Sequence, residues 1–135
     1  MRLFTSDYSK TVDVGTGSIW NSIYSTAITL LSENIKRRVP LAIEFLKTGS
    51  CNASIARETR IQLMAIHNAF LAFASDAAVY DWHKPTMPAP WKGHIAPSVT
   101  SCANLYTTAE GKDLFKEVLN LLEYAERKSL DISAE

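Results

Sequence analysis

The stretch LYTTAEGKDLFKEVLNLLEYA, residues 105–125, holds two kinds of backbone signal in one short run. From Leu114 onward the apolar residues Leu114, Val118, Leu121 and Ala125 recur at three- and four-residue spacing, with Phe115, Leu119 and Leu122 widening the stripe. That is the periodicity of a helix lying on a core. Thr108 suits the N-cap, since its hydroxyl can accept from a free amide of the first turn. Just before it, Leu105-Tyr106-Thr107 carries the β-branched and aromatic content of a short strand. Strand next to amphipathic helix, with no long βαβ repeat, points to an α+β domain.

Working outward, prolines at 85, 88, 90 and 97 exclude helix from most of the preceding loop. Val79-Tyr80-Asp81-Trp82 reads as a strand entering it. Before that loop, Asn52 can cap a helix with two apolar stripes, one of Leu63, Ile66, Phe70 and Phe73, the other of Ile61, Met64 and Leu71. Two stripes predict burial on both sides. Pro40 fits the first turn of a shorter helix over 40–48, with Gly49 at the left-handed C-terminal position. The basic run Lys36-Arg37-Arg38 reads as a solvated connection ahead of it. Ser18 is read as the cap of a helix from about 18 to 33, in which Trp20, Ile23, Tyr24, Ala27, Leu30 and Leu31 form the apolar face. Leu3-Phe4-Thr5 and Thr11-Val12-Asp13-Val14 suggest one or two strands before the turn Gly15-Thr16-Gly17. The expectation is a single domain over residues 1–135, mostly helical, with about four helices and a small sheet of short strands. Residues 1–2 and 129–135 are expected to fray.

The composition agrees with a folded chain of this kind. At 135 residues the chain is long enough to bury a core without staples, and 47% hydrophobic with 21% charged residues is ordinary globular content. Fourteen Lys and Arg balance fourteen Asp and Glu. With no net field, neither direct nucleic-acid binding nor attraction to an anionic membrane is expected. The balance is uneven along the chain, because residues 101–135 hold seven acids against four Lys/Arg. No signal-peptide core and no long apolar run are present, so a cytoplasmic location is expected. The cysteines, Cys51 and Cys102, read as reduced structural thiols.

Residues that carry chemistry are sparse. Gly15-Thr16-Gly17-Ser18 has neither the lysine of a phosphate-binding loop nor the spacing of a dinucleotide fingerprint. His67, His83 and His94 have no ligand spacing, and no metal or cofactor is expected. Asp81-Trp82-His83 is the most enzyme-like triplet; on a strand Asp81 and His83 share a face, but no placed nucleophile accompanies them. A small hydrolase or transferase using Asp81 and His83, with or without His67, is therefore an alternative to a binding protein. A non-catalytic regulatory module acting through the proline loop is another. Trp82, Trp91 and Tyr106 are rings of the kind that plug a core or anchor an interface.

Taken in order, Gly15-x-Gly17-Ser18, the helix with Ser22, Tyr24 and Ser25, then Val39-Pro40, Gly49, Val79-x-Asp81, Pro90-Trp91, Tyr106-x-Thr108 and Gly111-Lys112-Asp113-Leu114-Phe115 resemble the immunity protein 70 family. The resemblance runs from about residue 14 to 125. Tyr80 stands where tryptophan is usual, and one proline fewer precedes Trp91. The resemblance implies a non-enzymatic inhibitor, made in the cytosol of a toxin producer, that binds the C-terminal domain of a cognate toxin of a contact-dependent inhibition or related system. Such toxins are often nucleases with basic active sites, so acidic side chains are their complement. On that basis Asp113, Glu117, Glu123 and Glu126 are expected to steer the toxin, and Trp82 or Trp91 to anchor it.

Overall fold

A computed structural model describes residues 1–135. Strands β1 (Arg2–Thr5), β2 (Thr11–Asp13) and β3 (Ile132–Ala134) form an antiparallel sheet in the order β2-β1-β3. Leu3 pairs with Val12 on one side and Ala134 on the other, and Thr5 pairs with Ile132. Alternation does the sorting here: Leu3, Thr5, Val12 and Ile132 point inward and are buried. The five helices are α1 (Gly17–Leu30), α2 (Glu33–Arg38), α3 (Pro40–Thr48), α4 (Ala56–Phe70) and α5 (Leu114–Lys128). The fold is α+β, as the sequence predicts.

Helices α1, α3, α4 and α5 pack in series, each against the next, and α5 also covers β2. One cluster of 26 buried apolar residues runs through all of these layers. Phe45, Leu63, Ile66, Phe70, Leu114 and Leu121 are among its fully buried members, each stabilising by about 1.5–3 kcal/mol relative to exposure. The Phe70 and Phe115 rings meet edge to face at 5.6 Å, joining α4 to α5.

Local rules place α3 well. Pro40 occupies its first turn and Gly49 its left-handed cap at φ 74°. A side chain from elsewhere completes it: Gln62 Oε1 of α4 accepts the Leu41 and Ala42 amides at 2.7 and 3.1 Å. Other boundaries differ from expectation. The first helix stops at Leu30, because Ser32 caps a separate α2 by accepting the Ile35 amide at 3.2 Å. Lys36-Arg37-Arg38 is thus the last turn of α2, where cations meet the negative end of the helix dipole. Ser18 lies inside α1 and Thr16 takes the cap position. Asn52 makes no side-chain capping bond; Asp131, far along the chain, accepts the Ala53 amide instead at 2.7 Å.

The C-terminal tail is not frayed. Ser129 turns the chain in the left-handed region, and β3 then pairs with β1 and touches Cys51 through a bridge to Ile132. Neither is the N-terminus loose, since Arg2 exchanges backbone hydrogen bonds with Glu135 at 2.9 and 3.0 Å. The strands expected at 79–82 and 105–107 are absent; beyond α4 the chain is irregular, with a short 3-10 turn at Ser75–Ala77. Thr108 does not start the last helix. Its hydroxyl accepts the Glu110 and Lys112 amides in a turn that Gly111 completes at φ 83°, and Asp113 caps α5. Finally, only one stripe of α4 is buried, since Ile61, Met64 and Leu71 are exposed.

Candidate functional site

Helix α1 carries a second stripe beside its apolar one. Ser22, Ser25 and Thr26, at helical spacing, are all fully buried, and buried hydroxyls must find partners. They find them on the irregular segment. Ser22 Oγ donates to the Val79 carbonyl at 2.8 Å, and Thr26 Oγ1 accepts the Val79 amide at 2.9 Å. Ser25 Oγ accepts the Trp82 amide at 3.0 Å. Tyr106 Oη closes the cluster, 3.0 Å from both Ser22 Oγ and Thr26 Oγ1. Backbone groups expected to pair in a sheet are thus satisfied by side chains, which is why no strand forms at Val79. Burial pushes the Tyr106 phenol up to about 12, although the Ser22 and Thr26 hydrogen bonds oppose the rise.

The two tryptophans of the loop have different situations. Trp91 is half-buried, meeting Tyr80 and Tyr106 edge to face at 5.7 and 6.0 Å. It separates two open clefts: one of about 260 Å³ against Ile19, Ile95 and Leu105, the other of about 180 Å³ against Pro85, Met87 and Lys92. Trp91 is a strut of the loop. Trp82 is 41% exposed, its ring centre lies 3.8 Å from that of His83, and its amide is pinned to α1. Trp82 is therefore an apolar surface on a fixed backbone.

The triplet Asp81-Trp82-His83 is a turn. Asp81 Oδ1 accepts the His83 amide at 3.0 Å, so its carboxylate organises the loop, and the two side chains do not share a strand face. His67 lies elsewhere, its ring 5.0 Å from Phe115 at the α4–α5 boundary. No cluster of three or more His, Cys, Asp or Glu side chains is placed to hold a metal ion. Both cysteines are buried free thiols. Burial raises the thiol pKa of each, that of Cys102 to about 11.

The four acids of the last helix are spread around it. Asp113 caps α5, accepting the Lys116 amide at 3.1 Å. Glu126 faces α4 and pairs with Arg60 at 3.1 Å. Glu117 is half-buried, and Glu123 stands exposed. At about 100° per residue, the outermost line of α5 is Lys116, Asn120, Glu123 and Arg127, which is mixed in charge. Glu123 is the one acid of the four on that line.

Two features escaped sequence reasoning. The Ser22, Ser25 and Thr26 spacing was readable as a polar stripe, but nothing local tells that a distant loop fills it. The exposure of Ile61, Met64 and Leu71 was not readable, because apolar periodicity registers burial whether the covering surface belongs to the same chain or another. No helix is long and apolar enough to cross a membrane. Comparison with known proteins gives a match to the family model described as Immunity protein 70 over residues 4–134. Neither a curated protein nor a solved structure matches. Since the family match reaches from β1 through the pinned loop and α5 into β3, the chain belongs to the immunity protein 70 family, whose members are immunity proteins directed against a toxin.

Proposed function

We propose that this chain neutralises a cognate toxin by binding its C-terminal domain and covering the active site, acting in the cytosol of the toxin producer without chemistry of its own. The toxin class we assign is a nuclease, with RNase activity included, of a contact-dependent inhibition or related polymorphic toxin system. The observation that carries the reading is Trp82: a large residue left partly open to solvent while Ser25 fixes its backbone, in a chain of the immunity protein 70 family. A pre-positioned aromatic pays little ordering entropy on contact and suits the centre of an interface. Trp91, packed on Tyr80 and Tyr106, braces the same loop. Asp113, Glu117, Glu123 and Glu126 contribute an acidic field for a basic nuclease site, Asp113 and Glu123 being the exposed members.

The test is co-expression with the protein encoded by the adjacent open reading frame. The expected result is a stoichiometric complex that survives purification, restores growth and removes nuclease activity in vitro. A toxic neighbour that forms no complex with this chain would defeat the reading.

A further inference from the structure

In the Asp81-Trp82-His83 turn two rings meet at the surface. The centres of the Trp82 and His83 rings lie 3.8 Å apart, with their planes 32° from parallel. Both residues are exposed, and the core cluster against which Trp91 packs does not extend to Trp82. An indole in that situation can turn about two side-chain bonds, and a partner that fixes one rotamer removes that freedom. The Ser25 hydrogen bond holds the Trp82 amide, so it sets where the side chain leaves the backbone and not where the ring comes to rest. Something else has to hold the ring.

The turn supplies it. Consecutive side chains on a strand point to opposite faces, and this segment is kept from being a strand by half-buried Asp81. Its Oδ1 accepts the His83 amide and its carbonyl accepts the Lys84 amide, each at 3.0 Å. The chain thereby curls, and the imidazole comes to lie on the indole. Tilted aromatic pairs at this separation attract beyond their shared area. The most enzyme-like triplet of the sequence is thus a mount: Ser25 fixes the backbone of Trp82, Asp81 fixes His83, and the His83 ring rests on the Trp82 ring.

We propose that His83 is a positioning residue for toxin binding, its imidazole holding the Trp82 indole in the orientation that the toxin meets. This rests on the toxin-neutralising reading and on Trp82 as its anchor. The test is a double-mutant cycle on affinity for the toxin encoded by the adjacent open reading frame, using His83→Ala, Trp82→Ala and the double variant. Asp81 accepts a backbone amide that every substitution used at position 83 retains, so melting temperatures are expected to stay within a few degrees of wild type. His83→Ala is expected to weaken binding roughly three- to tenfold, the effect of having to order one freed aromatic side chain. In the Trp82→Ala background the same substitution should weaken it no further, and His83→Phe, which restores a ring, should regain most of the lost affinity. Unchanged affinity of His83→Ala overturns the assignment. So do additive losses, which would make His83 a toxin contact in its own right, and a His83→Phe variant as weak as His83→Ala, which would give the role to the imidazole nitrogens. In each of these cases wild-type neutralisation stands. An unweakened Trp82→Ala removes the anchor and the positioning role with it, while failure of the wild type to bind removes the neutralising reading as well.

Discussion

Ser25 Oγ on α1 accepts the backbone amide of Trp82 at 3.0 Å, so a fully buried serine holds the backbone of a tryptophan that is itself 41% exposed. Its place is decided by the helix beneath it. Trp82→Ala is therefore expected to leave the melting temperature within a few degrees of wild type and to weaken toxin binding by about 2 kcal/mol or more. Trp91→Ala is expected to do the reverse in order of size, destabilising the fold by about 2–3 kcal/mol through loss of the contacts with Tyr80 and Tyr106. Thermal melts and titration calorimetry on the two variants separate anchor from strut.

Removing the Ser25 hydroxyl tests the pin itself. Ser25→Ala leaves the Trp82 amide without its acceptor, at a cost of about 1–3 kcal/mol if no water replaces it. Hydrogen exchange should show faster opening at residues 79–84 than in α5.

Alkaline pH should lower the stability of the fold over two overlapping ranges set by Cys102 and Tyr106. Cys102 and Tyr106 lose their protons at about 11 and about 12 in the folded protein, against ordinary values of 9.0 and 10.0, because burial disfavours both anions. The folded state holds protons that the unfolded chain releases, so ΔG of unfolding falls as pH rises. Their contribution is complete below about pH 9. It declines from 9 to 11 for Cys102 and from 10 to 12 for Tyr106. Denaturant melts across this range should show Cys102→Ala flattening the earlier decline and Tyr106→Phe the later one.

Charge reversal at Glu117 and Glu123 probes steering without touching the Asp113 cap or the Arg60–Glu126 pair. The double Lys variant is expected to associate with the toxin about tenfold more slowly at low salt, the difference shrinking as ionic strength rises. Stopped-flow association rates at several salt concentrations check it; an unchanged on-rate would remove these acids from the steering role.

Gly49→Ala should be costly for two reasons. The residue sits at φ 74°, and an added Cβ would lie 2.7 Å from Ala134 Cβ on β3. The left-handed conformation alone costs about 1–2 kcal/mol for a non-glycine residue, and displacing the final strand adds to it. A loss above about 2 kcal/mol in chemical denaturation is expected.

Where neighbours in sequence supply the cause, the fold was legible. Pro40 and Gly49 bracket α3 because one presets φ and the other tolerates its left-handed value. The Leu114, Val118, Leu121 and Ala125 stripe defines the buried side of α5, whose cap lies five residues beyond the expected Thr108 because Asp113 outcompetes it. Ser32 and Glu33 carried the signal of α2, masked by apolar residues that made α1 look longer. Of the proposed contact residues, Trp82, Trp91 and the acids could be named from residue type, but not sorted.

Sequence alone determined the α+β class, the helix-forming stretches and, through an ordered set of motifs, the family. These depend on local propensity, periodicity and residue identity, which chain neighbours settle. Tertiary structure decided the rest. Asp131 caps a turn near residue 53, and Ser22 and Thr26 take the hydrogen bonds of Val79 in place of a strand. Packing leaves Ile61, Met64 and Leu71 bare. Each outcome turns on which distant group arrives to satisfy a donor or cover a side chain, and periodicity reports the need for burial without saying what meets it.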